Sequence, residues 1–188
     1  MTNRRRYLVL VFVIVAVSFA FSTSSARADA NNQSATFQLH MEMPNVSRAP
    51  NGDVVTVNGS GTFSVHPNSV TASGTFTHTD SAGMVVASGS WMATQLLSFE
   101  FYGCGVLTFP EPDVVLPPNF CGGALKMRVL LTSGTNQFEG VMTVFCIVGP
   151  QTPASHDDPT EEGVTLNVFG VNNFNKIVHG MNIYIRMS

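Results

Sequence analysis

The sequence predicts an all-β domain of about nine mostly antiparallel strands behind an export leader, closed as an up-and-down barrel or folded as a strongly coiled sandwich. Three observations carry that prediction. Apolar and polar residues alternate with period two along most of the chain beyond residue 30. No window there repeats apolar residues at helical spacing. Clusters of glycine, asparagine and proline separate the alternating runs, as turns do.

The leader is read from its three parts. Arg4-Arg5-Arg6 precedes an apolar run from Tyr7 to Phe21, and Ser22-Thr23-Ser24-Ser25 and Ala26-Arg27-Ala28-Asp29-Ala30 follow. A basic start, an apolar middle and small residues at alternate positions make a signal peptide, with cleavage after Ala30 and a cut after Ala28 as second choice. An uncleaved anchor is the rival reading, but roughly 15 apolar residues fall short of the ~20 that span a bilayer. Asn3-Arg4-Arg5-Arg6-Tyr7-Leu8 also approaches a twin-arginine signal, although the strongly apolar middle favours the ordinary route. The expected organisation is a signal peptide over 1–30 and a single all-β domain over 31–188, secreted or periplasmic, which meets a membrane only during export.

Whole-chain charge misleads, because Arg4, Arg5, Arg6 and Arg27 lie in the leader. Residues 31–188 keep five basic side chains (Arg48, Lys126, Arg128, Lys176 and Arg186) against eleven acids, which leaves a net charge of −6. Without a basic patch, nucleic acid and anionic membrane surfaces are poor partners. Serine, threonine, asparagine and glycine take most polar positions, the habit of exported proteins with polar-faced sheets.

Cys104, Cys121 and Cys146 remain after the leader. An oxidising compartment predicts one disulfide and one leftover thiol. Cys104 and Cys121 flank a loop holding Pro110, Pro112, Pro117 and Pro118, and closing such a loop stabilises by about 3 kcal/mol in the chain-entropy account. If 124–132 and 141–148 pair about a turn near Asn136, Cys146 faces Met127. Cys121 then stands about six residues out of register, roughly 20 Å away at strand rise and beyond disulfide reach. The expected disulfide is Cys104–Cys121, with Cys146 a buried free thiol.

The strands follow in order. Phe37, Leu39, Met41 and Met43 share one face, opposite Thr36, Gln38, His40 and Glu42. Asn51-Gly52-Asp53 marks a turn. Val55, Val57, Phe63 and Val65 form the next apolar face, and Val70, Ala72, Gly74 and Phe76 the one after. Further strands are expected over 84–93, 95–103, 124–132, 141–148, 164–170 and 176–187. Ser60-Gly61-Thr62-Phe63, Ser73-Gly74-Thr75-Phe76 and Ser88-Gly89-Ser90-Trp91 repeat one unit at a spacing suited to neighbouring strands of a meander. Glycines beside aromatics predict rings laid over glycine on adjacent strands, and the curvature they allow favours a barrel of lipocalin-like or dirigent-like shape. Gly89-Ser90-Trp91 resembles the Gly-x-Trp of lipocalins, but that motif opens the first strand of that family and here it lies in mid-chain.

Candidate chemistry is sparse. Ser155-His156-Asp157-Asp158-Pro159-Thr160-Glu161-Glu162 gathers carboxylates that calcium could use, yet the spacing is not that of an EF-hand and reads as a solvated acidic loop. His40, His66, His78, His156 and His179 show no zinc-ligand spacing. His40 and Glu42 share a strand face as an acid–base couple would, and as many surface pairs do. No Gly-x-Ser-x-Gly elbow is present, and the apolar neighbours of Cys146 suit an inert thiol. Asn32, Asn45 and Asn58 each begin an Asn-x-Ser sequon.

No catalytic residue, metal ligand or cofactor is therefore assigned. The expected function is non-enzymatic binding or surface interaction on a β scaffold, with a small apolar molecule or a protein as partner. The loops 104–123 and 149–163, placed over one end of a barrel, are the expected place for binding. The alternatives are a cofactor-free barrel cyclase or isomerase, marked by an inward histidine such as His78 or His179, and a structural module of a cell-surface assembly.

Overall fold

The computed structural model describes residues 34–108, 112–151 and 162–187; the leader and most of the acidic loop lie outside them. The chain forms β1 (Ala35–Arg48), β2 (Val54–Val65), β3 (Ser69–Thr79), β4 (Val85–Cys104), β5 (Val106–Leu107), β6 (Val114–Val115), β7 (Phe120–Ser133), β8 (Asn136–Cys146), β9 (Gly163–Val168), β10 (Asn172–Phe174) and β11 (Lys176–Arg186). The fold is all-β. A nine-stranded antiparallel sheet runs β10-β9-β8-β7-β11-β1-β2-β3-β4 and closes on itself where β4 pairs with β7. β5 and β6 form a separate small hairpin inside the long loop.

The expected strands at 84–93 and 95–103 are one twenty-residue strand, β4. Its register against β7 skips Thr94, so a bulge bends the strand without ending it. β1 likewise runs on through Pro44, with register shifts that turn the exposed Met43 outward and bring Asn45 and Ser47 to the inside. The β7–β8 hairpin is tighter than expected: Ser133 faces Asn136 across Gly134-Thr135, where Gly134 takes a positive φ of 58°. Met127 therefore faces Met142, and Cys146 faces Gly123. The cysteine pairing nevertheless stands, since Cys104 and Cys121 are direct register partners and are joined as a disulfide. Cys146 is a buried free thiol, its Sγ 3.4 Å from the carbonyl of Cys121.

The inside of the barrel is filled unevenly. At the disulfide end, Phe37, Phe63, Phe99 and Tyr184 pack as a plug, with ring centroids 5.2 Å apart for Phe37–Phe63, 4.8 Å for Phe63–Phe99 and 5.4 Å for Phe99–Tyr184. In the middle lies Trp91, the single tryptophan of the chain and fully buried. Gly59 stands opposite Gly74, and Gly74 opposite Trp91, so the indole crosses two strands that offer no side chain in its path. A Cβ at Gly74 would come within 1.9 Å of the Asn58 carbonyl and 2.7 Å of the indole nitrogen, which itself donates to that carbonyl at 3.0 Å. The repeated glycine–aromatic unit is thus a packing device. Gly74→Ala should destabilise the fold by about 2 kcal/mol or more through overpacking, read as a lower urea midpoint in Trp91 fluorescence.

One place in the ring lacks a backbone ladder. β7 pairs with β8 from Gly123 onward, but its first residues, Phe120 and Cys121, pair with Ile185 and Tyr184 of β11. Between that fork, the β8–β9 pair and the β1–β11 pair face each other side on, joined by side chains. Asn182 donates to the carbonyls of Phe145 (3.0 Å) and Gly163 (3.1 Å) and exchanges amide hydrogen bonds with Asn45 (3.0 and 2.9 Å). Ser47 donates to the Val164 carbonyl, and the Tyr184 hydroxyl to that of Val144 at 2.8 Å. Asn45, Ser47 and Asn182 are all buried. Asn182→Leu removes these bonds at similar volume and should cost about 3 kcal/mol of unfolding free energy, since buried partners lose their donor.

Glu162 closes the same seam by accepting the Asn182 backbone N–H, so the last carboxylate of the acidic run points into the fold. Burial pushes its carboxyl up to about 7, against the opposing hydrogen bonds from Asn182 and the Cys146 thiol. The neighbouring Cys146 and Tyr184 are held neutral, their own values raised by burial. A folded value above the unfolded one of about 4.3 means the native state binds this proton more tightly. The contribution is whole below about pH 4.3 and is lost as pH rises to about 7. Between these limits Glu162→Gln should gain on the parent chain by on the order of 2 kcal/mol, measured as the difference of their denaturant midpoints across pH.

Candidate functional site

The end of the barrel opposite the disulfide is open. Short turns surround it: 49–53 between β1 and β2, 80–84 between β3 and β4, 134–135 between β7 and β8, and 169–171 between β9 and β10. Between them lies a cavity of about 260 Å³. Its apolar wall includes Val55, Phe76, Leu131, Phe138, Leu166 and Phe174. Val86 and Val171 line it at the rim while 58% and 49% exposed, and Met84, Val85 and Phe169 extend the exposed apolar edge. Inward positions on β4 explain why space remains here. Trp91 fills the barrel one layer deeper, but the small Ala87 lies toward the mouth and lines the cavity.

Among the described residues His78 is the one titratable side chain in the cavity wall, and it is 9% exposed. Its position follows from two local facts. The β2–β3 register sets it opposite Val55, and period-two alternation turns it inward with Phe76 and Ala72. Asn51-Gly52-Asp53 then folds as the expected turn, with Gly52 at φ 91° and the Asn51 side chain accepting the Asp53 N–H at 3.2 Å. This carries the Asp53 carboxylate to the imidazole, Oδ2 to Nε2 at 2.9 Å. Asn172 on β10 donates to the same oxygen at 3.2 Å and to Asn51 at 3.1 Å, which ties the two turns together. The Phe174 ring meets the imidazole nearly at right angles, 5.1 Å between centroids.

The hydrogen bond from His78 holds the Asp53 carboxyl below its usual range, opposed by partial burial and helped by Asn51 and Asn172. The carboxylate is thus ionised at neutral pH and acts only as an acceptor. The other polar groups in the wall are Ser133, whose hydroxyl donates to the Ser88 carbonyl at 2.9 Å, and Asn136. No cationic side chain lines the cavity.

The remaining expectations fall elsewhere. The two long loops do meet at one end: Gly149 donates to the Val106 carbonyl and Gln151 to that of Tyr102. That end is the plugged one, and it offers a depression lined by Phe101, Gly103, Cys104, Pro118, Pro150, Gln151 and Arg186 in place of an apolar cavity. The loops expected to mark the place for binding thus lie over the plugged end, and short turns frame the apolar mouth. His179 is exposed and turned outward, and His40 and Glu42 lie on the outer surface with no hydrogen bond between them. His156, Asp157, Asp158 and Glu161 lie outside the described residues, and among the described residues no three potential ligands gather as for a metal. The sequon at Asn45 is closed by the fold, because both Asn45 and Ser47 are buried in the seam. Sequence reasoning named His78 as an inward histidine but missed Asp53 as its partner; the Asn-Gly-Asp turn was the signal available.

No protein-family model, curated protein or solved structure matches this chain.

Proposed function

We propose that this chain is an exported, non-enzymatic binding protein that takes a small apolar molecule into the open mouth of its barrel. The observation that carries the reading is the cavity of about 260 Å³ walled by aliphatic and aromatic side chains at the open barrel end. Concave, mostly apolar sites with a few placed polar groups are the usual form of small-molecule sites. The exposed rim supports it, since Val86 and Val171 offer apolar surface at the entrance of the cavity. The Cys104–Cys121 disulfide suits an oxidising compartment, and the leader supplies the route there.

A cofactor-free isomerase or cyclase is the second reading, favoured by the carboxylate-oriented histidine in the wall. It is the weaker one. Such chemistry also needs a donor for the charge that develops on the substrate. Ser133 already spends its hydrogen bond on Ser88, and Asn136 is exposed.

The test is a fluorescence titration of the purified chain with N-phenyl-1-naphthylamine, an apolar probe that brightens on leaving water. Saturable one-to-one binding is expected, weakened about tenfold or more by Ala87→Phe, which fills the cavity from its β4 wall. Binding that is absent, or unchanged in Ala87→Phe with the fold intact, would sink the proposal.

A further inference from the structure

Resting on that reading of the cavity, we infer that its ligand is an apolar molecule bearing one hydroxyl, a phenol or alcohol whose O–H is received by Nδ1 of His78. A carboxylate has no proton to give, so the ring nitrogen that meets Asp53, Nε2, carries the hydrogen. The neutral ring then has its lone pair on Nδ1. Among the described residues His78 has no hydrogen-bond partner besides Asp53, although it is buried at 9% exposure. A buried acceptor left unmet is costly, and nearly all such groups in folded proteins find a partner.

The surroundings narrow what that partner is. Phe76, Phe174, Val55, Leu166 and Leu131 make the rest of the wall apolar, so the ligand is mainly hydrocarbon. Asp53 places a negative charge behind the ring and no Lys or Arg lines the cavity, so a carboxylate or phosphate headgroup is disfavoured. Asn51 and Asn172 hold Asp53 in place from two turns, and Phe174 holds the plane of the ring, so the acceptor is pre-oriented before a ligand arrives. A neutral hydroxyl on a compact apolar body meets each of these conditions.

The probes are 2-naphthol and naphthalene, of nearly one shape and differing by a single O–H. In a purely apolar cavity naphthalene binds more tightly, because the hydroxyl loses water and gains nothing. Nδ1 reverses that order: 2-naphthol should bind at least about tenfold more tightly than naphthalene by competition against the fluorescent probe. His78→Phe should abolish the preference while naphthalene still binds. Naphthalene binding equally well or better in the parent chain would overturn the inference and leave the cavity reading standing, whereas failure of both probes would end both. A wild-type measurement covers the case in which the variant does not fold. The nitrogen-15 shifts of His78 in mildly alkaline buffer should show Nε2 protonated and Nδ1 bare, with Nδ1 moving when 2-naphthol is added; a hydrogen on Nδ1 in the neutral ring would refute the inference.

Discussion

The barrel depends on the seam at which its backbone pairing stops. β7 cannot pair with β8 and β11 over the same residues, so the sheet forks at Cys121–Gly123. Backbone groups facing each other across a fork must be satisfied by something else, or the fold bears the cost of burying them. Asn182 does this with one amide, reaching Phe145, Gly163 and Asn45 at once, and Ser47 and Tyr184 serve the carbonyls on either side. The network is a closed set of neutral hydrogen bonds, a form in which buried polar groups favour one arrangement over others. Glu162 is the exception, a carboxyl drawn into the same seam whose pKa burial pushes up to about 7.

The two ends of the barrel follow from where that closure lies. Near the fork the strands carry Phe37, Phe63, Phe99 and Tyr184 inward, and the disulfide ties β4 to β7 beside them. Small residues shape the opposite end: Gly74 and Gly59 admit Trp91, Gly89 lets the Thr132 backbone of β7 come close, and Ala87 lines the cavity. The wall of the mouth belongs to the same core, with Val55, Leu131, Leu166 and Phe174 buried in it. The mouth is framed by short turns, one of which is tied to β10 by the bonds of Asn172 to Asn51 and Asp53. Long loops lie where the barrel is already closed.

Much of this was legible in the residues, and the failures have distinct causes. Period-two alternation located β2 and β3 well, because each keeps one buried face over its length. The Ser-Gly-hydroxyl-aromatic repeat located the strands that hold Trp91. Alternation failed where a bulge exchanges the two faces. Met43 reads as core and is exposed; Asn45 and Ser47 read as a surface sequon and are buried. A one-residue irregularity leaves no mark on a pattern whose period is two, except by inverting all that follows. The hairpin register went astray for a different reason: the turn lies at Gly134-Thr135, which moves every partner by four residues and so keeps the faces of both strands. The cysteine pairing survived because it rests on β4 against β7, a ladder that the misplaced turn does not touch.

The cavity was legible only in part, for a reason that concerns sites more than strands. His78 could be seen as inward, since it follows Ala72, Gly74 and Phe76 at even spacing. Its chemistry could not, because that is decided by Asp53 and Asn172, residues that alternation assigns to turns. An imidazole alone in an apolar wall is ambiguous in tautomer and direction. Beside a fixed carboxylate, which can only accept, the hydrogen is favoured on the nitrogen that meets it, Nε2. Two turns distant in sequence thus fix the partner of the one imidazole that faces the mouth.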